Sequence, residues 1–315
     1  MFIPGSLIAI LGTNMNRTNL IYTIIMQTTC LTFDQYPFLL QQIRNPPKFL
    51  DCAGAWPPPN DHKYLCVIGA REHSEYGQNV CQSLIAGLKG YPIIVVSGLA
   101  IGIDSIAHEA ALNNGLKTIS FPGSGLDQSV LYPPCHLSLA KKIIASGNTL
   151  LSPFERHQPG AHWTFPTRNR LMAGLSHATL IIEGCRGSGT LLTADYALEF
   201  DRDVLIVPGS IFSDLSYGPH MLYRRGAIPI TSSEEILEAL GILPRVTLDK
   251  VDSNLSKEEE KILETLQYSP LSATALMEKT GFNTSQMSIL ISQLELAGLI
   301  VQERDVCKII NRNNK

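Results

Sequence analysis

The residues best suited to chemistry stand together at Phe165-Pro166-Thr167-Arg168-Asn169-Arg170, where an aromatic ring, a stiffening proline and two guanidinium groups surround one Asn. A ring beside fixed cationic forks suits a flexible polyanion with exposed bases, which is single-stranded nucleic acid. It does not suit proton-transfer chemistry, because Arg keeps its proton at any useful pH. The same Arg side chains can also brace a loop through carboxylates, so the reading depends on the neighbouring sequence.

Three Gly-rich turns supply that context. In Val67-Ile68-Gly69-Ala70-Arg71, Gly69 lets backbone approach a phosphate, Arg71 adds a charged fork and Ser74 caps the next helix. A plain turn carrying a surface Arg would read the same way. In Ser97-Gly98-Leu99-Ala100-Ile101-Gly102-Ile103-Asp104, Ser97, Gly98 and Gly102 make a loop rich in free N–H donors. No Gly-Lys-Ser/Thr follows, and the dinucleotide spacing of glycines is missing. Asp104 is expected to cap its helix or bond His108 rather than face a phosphate. In Glu183-Gly184-Cys185-Arg186-Gly187-Ser188-Gly189-Thr190, Ser188, Gly189 and Thr190 offer donors at a helix N-terminus. Glu183 either accepts from a base edge, Asn169 or an Arg, or is buried against Arg168 or Arg170. Pro208-Gly209, Gly218 and Arg224-Arg225-Gly226-Ala227 read as a structural rim.

No Ser-His-Asp order, phosphate loop or pair of metal ligands at helical spacing occurs, so no catalytic residue, metal or cofactor is expected. The seven cysteines show no metal-ligand clustering, and four of them read as small core residues of a protein from a reducing cytoplasm. Net charge is −3, so a nucleic-acid contact must come from a local basic patch.

From Tyr64 to Leu240, short apolar runs alternate with amphipathic stretches. Strands are expected at Tyr64–Ile68, Ile93–Ser97, Thr118–Phe121, Asn148–Leu151, Thr179–Glu183, Val204–Val207 and Ala227–Ile230. Helices are expected at Tyr76–Lys89, Asp104–Asn114, His136–Ser146, Arg168–Leu175, Gly189–Phe200 and Glu234–Leu240. Such alternation predicts an α/β fold, a parallel sheet with helices on both faces and ligands at the carboxyl ends of its strands. Beyond it, three helices at Lys257–Leu266, Ser272–Thr280 and Asn283–Ala297 and a hairpin at Ile300–Arg304 and Val306–Ile310 describe a small winged helix. The expected organisation is an N-terminal extension (1–32), the sheet domain (33–242), a linker (243–256) and the winged-helix domain (257–315). The apolar runs Leu7–Leu11 and Leu20–Met26, split by polar residues, are too short and interrupted to span a membrane. The third helix of the winged unit carries no Lys or Arg, and residues 244–315 hold nine basic against ten acidic residues. That balance favours a protein-binding or regulatory role over duplex reading.

The order of these motifs resembles the DNA-processing protein A family (DprA, also called Smf). The matching residues are Gly69-Ala70-Arg71 with Ser74 and Tyr76-Gly77; Ser97-Gly98-Leu99-Ala100 with Gly102-Ile103-Asp104 and Ala107-His108; and Gly125-Leu126-Asp127 with Tyr132-Pro133. They continue with Phe165-Pro166, Arg168-Asn169-Arg170, Gly174-Leu175-Ser176, Ser188-Gly189-Thr190 with Thr193-Ala194, Val207-Pro208-Gly209 and Gly226-Ala227. The resemblance covers about Phe33 to Leu240 and, more loosely, the C-terminal domain.

It implies an extended Rossmann-like domain that binds single-stranded DNA without catalysis, forms a homodimer and loads the RecA recombinase in natural transformation or recombination. Arg71 and Phe165 then match phosphate-gripping and base-stacking positions, with Arg168 and Arg170 in the same basic pocket. Three positions depart from the family. His162 stands where a basic residue is usual, which weakens the pocket at neutral pH because imidazole is largely uncharged there. Pro153 replaces a Glu, and His136 stands where an Asn is common. The alternative is an enzyme cleaving nucleotides at the sugar–base bond, with Glu183 or Asp195 as the acid and Arg168 holding a monophosphate. Against it, Leu191-Leu192-Thr193 stands where such enzymes place a second acid.

Overall fold

A computed structural model describes residues 28–59, 61–243, 255–266, 270–297, 299–303 and 305–309. The apolar runs expected before residue 27 and most of the expected linker lie outside these residues. The chain divides into two compact units between Leu240 and Gly241.

The first unit is built on nine strands: β1 (Thr28–Leu31), β2 (Leu50–Gly54), β3 (Lys63–Ile68), β4 (Ile93–Ser97), β5 (Lys117–Ser120), β6 (Thr149–Ser152), β7 (Ala178–Ile181), β8 (Asp203–Ile206) and β9 (Ile228–Pro229). Their order across the sheet is β1-β2-β6-β5-β4-β3-β7-β8-β9. From β6 to β9 every pairing is parallel, with Cys66 opposite both Val96 and Thr179. β1 and β2 extend the sheet in antiparallel register, Thr29 facing Cys52 and Cys52 facing Leu151. Sequence reading missed this pair because polar residues break up both segments. Four residues assigned to the N-terminal extension are therefore strand β1.

The helices are α1 (Phe38–Gln41), α2 (Glu75–Ala86), α3 (Ile103–Asn113), α4 (Leu137–Ala145), α5 (Thr164–Leu175), α6 (Gly189–Glu199), α7 (Tyr217–Tyr223) and α8 (Ser233–Ala239). Three differ from expectation. The short α1 was not anticipated, α5 begins at Thr164, four residues early, and α7 forms where a loop was expected. α5 and α7 each carry a proline at the third residue, Pro166 and Pro219, where the missing N–H has no helical partner to lose. The mixed sheet is covered on both faces. On one face Cys66, Ile68, Ile94 and Val96 meet Leu171, Met172, Ala194 and Ala197 of α5 and α6. On the other, Leu150 of β6 and the loop residue Leu99 pack with Leu139, Ala140 and Ile143 of α4.

The second unit has α9 (Lys257–Leu266), β10 (Leu271–Ser272), α10 (Ala273–Thr280), α11 (Thr284–Leu296), β11 (Ile300–Glu303) and β12 (Val306–Ile309), with strand order β10-β12-β11. Ile262, Leu263, Leu276, Met287, Ile291 and Leu294 form its core. Gly281, at φ +80°, caps α10 in the left-handed conformation and turns the chain into α11. Among the described residues no helix is long and apolar enough to cross a membrane.

Candidate functional site

Strand order reverses at β3, with β4 on one side and β7 on the other. In a parallel sheet this switch opens a crevice at the carboxyl ends of the strands. Here it holds a cavity of about 460 Å³ lined by Gly69 and Arg71 after β3, Ala100 and Asp104 after β4, and Cys185, Ser188, Gly189 and Thr190 after β7. α5 supplies Phe165, Arg168, Asn169 and Met172, the i, i+3, i+4, i+7 face of one helix.

Arg71 is exposed, and its guanidinium lies over the Phe165 ring, 5.5 Å from the centroid. The ring also rests on Gly123, where a Cβ would collide with it, and lies 5.5 Å from Tyr132. Across the cavity the Ser188 side chain caps α6 by accepting from the Thr190 N–H at 3.0 Å. The positive end of that helix and the paired Ser188 and Thr190 hydroxyls form a polar corner of the cavity. Asn169 donates toward the Gly189 carbonyl at 3.5 Å, linking α5 to this corner.

Arg168 has another task. It is buried, and Nη1 donates to the carbonyls of Gly98 and Phe121, the latter at 2.7 Å. Asp104, also buried, accepts backbone N–H groups of Gly98 and Ala100. Burial raises the Asp104 carboxyl and lowers the Arg168 guanidinium, and each charge opposes the shift of the other. Both side chains press on Gly98, where a Cβ would strike them. Arg168 thus ties the β4 turn to β5 and forms the cavity floor, with Nε left without a hydrogen-bond partner. Arg170 does not join it. Two residues on, it turns away, donates to the Asn45 carbonyl at 3.1 Å and covers the Phe200 ring.

The remaining expected positions build the frame. Ser97 is buried and donates to Val67 at 2.7 Å, holding β4 to β3. Gly102 has φ +88°, and a Cβ there would hit the Ala70 and Arg71 carbonyls. Leu99 in the same turn also has positive φ, and its carbonyl meets His136 Nδ1 at 2.7 Å. The His136 departure is therefore an anchor for the β4 turn. His162 is exposed in the turn ahead of α5 and does not line the cavity. Beside it, Trp163 packs edge-on to Phe154, the residue after Pro153.

Neither expected Asp104–His108 bonding nor Glu183–Arg pairing occurs. His108 Nδ1 bonds Thr118 Oγ1 at 2.7 Å, and burial lowers its pKa to about 3. Glu183 accepts from Ser74 N–H and Oγ at 3.0 and 2.5 Å, fixing the start of α2 to the end of β7. Asp195 pairs with Arg225 at 2.7 Å. Among the described residues no group of three metal-ligating side chains could hold an ion.

Relatives share this architecture. The sequence pattern described as DNA recombination-mediator protein A matches residues 27–241, and a DprA winged helix domain matches residues 246–305.

The chain belongs to the DNA-processing protein A (DprA/Smf) family.

Its DprA relatives include the DNA processing protein DprA of Bacillus subtilis, 35% identical over 215 residues that cover 68% of this chain and 71% of that protein. That of Streptococcus pneumoniae is 38% identical over 204 residues, 65% of this chain and 71% of its own. Protein Smf of Escherichia coli is 41% identical over 176 residues, 56% of this chain; the match spans about half (46%) of that longer protein. The solved Streptococcus pneumoniae DprA structure superposes with TM-score 0.62 at 33% identity, covering 71% of this chain and 78% of that one. DNA processing protein A of Helicobacter pylori, whose structure concerns a single-stranded DNA binding mode, superposes with TM-score 0.61 at 26% identity, covering 68% and 95%.

Proposed function

We propose that this DprA-family protein binds single-stranded DNA in the crevice between β3 and β7 and acts without catalysis. The observation that carries the reading is the Phe165 ring capped by the Arg71 guanidinium, facing the Ser188–Thr190 helix corner across one cavity. A planar cation on an aromatic ring offers bases a stacking surface, and the helix corner offers donors to phosphate oxygens. The Helicobacter pylori neighbour supports the same ligand. In this reading Arg71, Phe165, Asn169, Ser188, Gly189 and Thr190 touch the strand. Gly69, Ser97, Gly98, Gly102 and Arg168 shape the turns that present them, while His162 flanks the path and Arg170, turned to Asn45, lies off it. The family's description as a recombination mediator supports a role in recombination; we further propose that a cytoplasmic homodimer delivers the strand to a RecA-type recombinase, in recombination or natural transformation.

The test is a salt-dependent titration with single-stranded and duplex oligonucleotides. Preference for single strands is expected, and equal affinity for both would refute the reading. Phe165→Ala should cost about 1–3 kcal/mol of single-strand affinity. Its melting midpoint should move little, because the half-buried ring lies at the cavity edge. A large drop in midpoint with unchanged binding would make Phe165 a core residue instead. Against the nucleotide-cleaving alternative, both of its acids already have partners, Glu183 in Ser74 and Asp195 in Arg225. Release of free base from nucleoside monophosphates would restore it.

A further inference from the structure

Behind the Phe165–Arg71 pair lies a second cleft lined by Ile101, Gly123, Tyr132 and Pro133, of only about 20 Å³, room for little more than a water molecule. It shares Arg71, Ala100, Phe165 and Arg168 with the large cavity, so the capped ring stands as a wall between the two recesses. The small cleft ends on Tyr132, a ring 40% exposed, and on the exposed Ile101. Its other side is fixed. The ring lies 5.5 Å from Phe165 at an interplanar angle of 59°, and a Cβ on Gly160 would stand 3.2 Å from its Cγ. The Tyr132 N–H donates to Ser124 Oγ at 3.0 Å. A ring held this way loses little freedom when a base stacks on it. The tilt points the faces of Tyr132 and Phe165 in different directions, so each can address a different base.

We propose that Tyr132 is a second base-stacking platform: one nucleotide occupies the large cavity, and its neighbour, beyond the Arg71–Phe165 wall, lies on the exposed Tyr132 ring. The inference rests on the single-stranded DNA reading of the site. Arg71, on top of the wall, stands where the phosphate joining the two nucleotides passes. Because every base has a π-face, this second contact is tolerant of sequence.

The experiment is a binding titration of the full chain with the shortest oligothymidylate that binds fully, so that the register cannot slide, carrying one abasic nucleotide moved stepwise along the strand. Wild type should show two adjacent sensitive positions. Tyr132→Leu should weaken binding to the intact strand roughly tenfold to a hundredfold and abolish one of those positions. It should leave the salt dependence unchanged, and Tyr132→Phe should bind as wild type. If Tyr132→Leu binds normally while Phe165→Ala is weakened, the inference is overturned and the DNA reading stands. If wild type does not bind single strands, both fall. Should Tyr132→Leu fail to fold, the wild-type scan decides, since a single sensitive position rules out the second platform.

Discussion

Arg71 and Arg168 line the same cavity with different work to do. Arg71 is exposed and spread over an aromatic ring, free to meet phosphate. Arg71→Ala should therefore weaken single-strand binding and reduce the slope of log affinity against log salt by about 0.7, one phosphate contact. The melting midpoint should be unaffected. Arg168→Ala should behave in the opposite sense. It leaves Asp104 buried beside two freed carbonyls, which costs about 3–5 kcal/mol of stability, read as a fall in the urea midpoint. A stable Arg168→Ala protein that has lost only its salt slope would show that Arg168 grips phosphate directly.

The β4–α3 turn is the element on which the site depends. It runs through Leu99 and Gly102, both at positive φ, and brings the Ala70 and Arg71 carbonyls against Gly102. Gly102→Ala must either move those carbonyls or open the turn, at a cost of about 1–3 kcal/mol. Because Arg71 is the residue displaced, single-strand affinity should fall with stability. Gly115 also has positive φ, but no atom lies within 4 Å of a Cβ placed there. Gly115→Ala should lose only about 1 kcal/mol and bind DNA normally. Equal binding by the two variants would separate the turn from the site. At this scale the sequence was legible in its Gly-rich turns and misleading in α5. Read as beginning at Arg168, that helix leaves Phe165 in a loop and both Arg side chains in one pocket. Beginning at Thr164, it sends Phe165, Arg168 and Asn169 to the cavity and Arg170 to Asn45. Pro166 in a first turn was the available signal.

Across the molecule, two histidines are held neutral. Burial lowers the pKa of His108 to about 3, and burial, with Lys63 and Arg202, lowers that of His177 to about 4. The unfolded chain takes up protons below about pH 6.5 that the folded chain refuses. Stability should thus be complete above that pH and fall on acidification toward pH 4, by at most about 1.4 kcal/mol per pH unit for His108. The His177 share is smaller because that ring is half-buried and partly screened. His177→Gln should make the decline of melting midpoint with pH shallower. A midpoint constant from pH 7.5 to 5 would contradict buried neutral imidazoles. Helix α11 of the winged unit exposes Ile289 and Leu296 and carries no Lys or Arg, so this helix offers duplex phosphates little.

The sequence by itself determined the parallel sheet from β3 to β9, the Gly-rich turns at its strand ends and the winged helix, because apolar period and turn chemistry are local properties. Only the tertiary structure decided which charges are spent. Asp104 and Arg168, far apart in the chain, share Gly98, and Glu183 reaches Ser74 across the crevice. The antiparallel strands β1 and β2, too polar to stand out in the chain, take their place only because β6 leaves an unpaired edge for β2 to bond. The Arg71–Phe165 wall likewise exists only once β3 and α5 are folded together, since a cation–π contact depends on distance in space rather than along the chain.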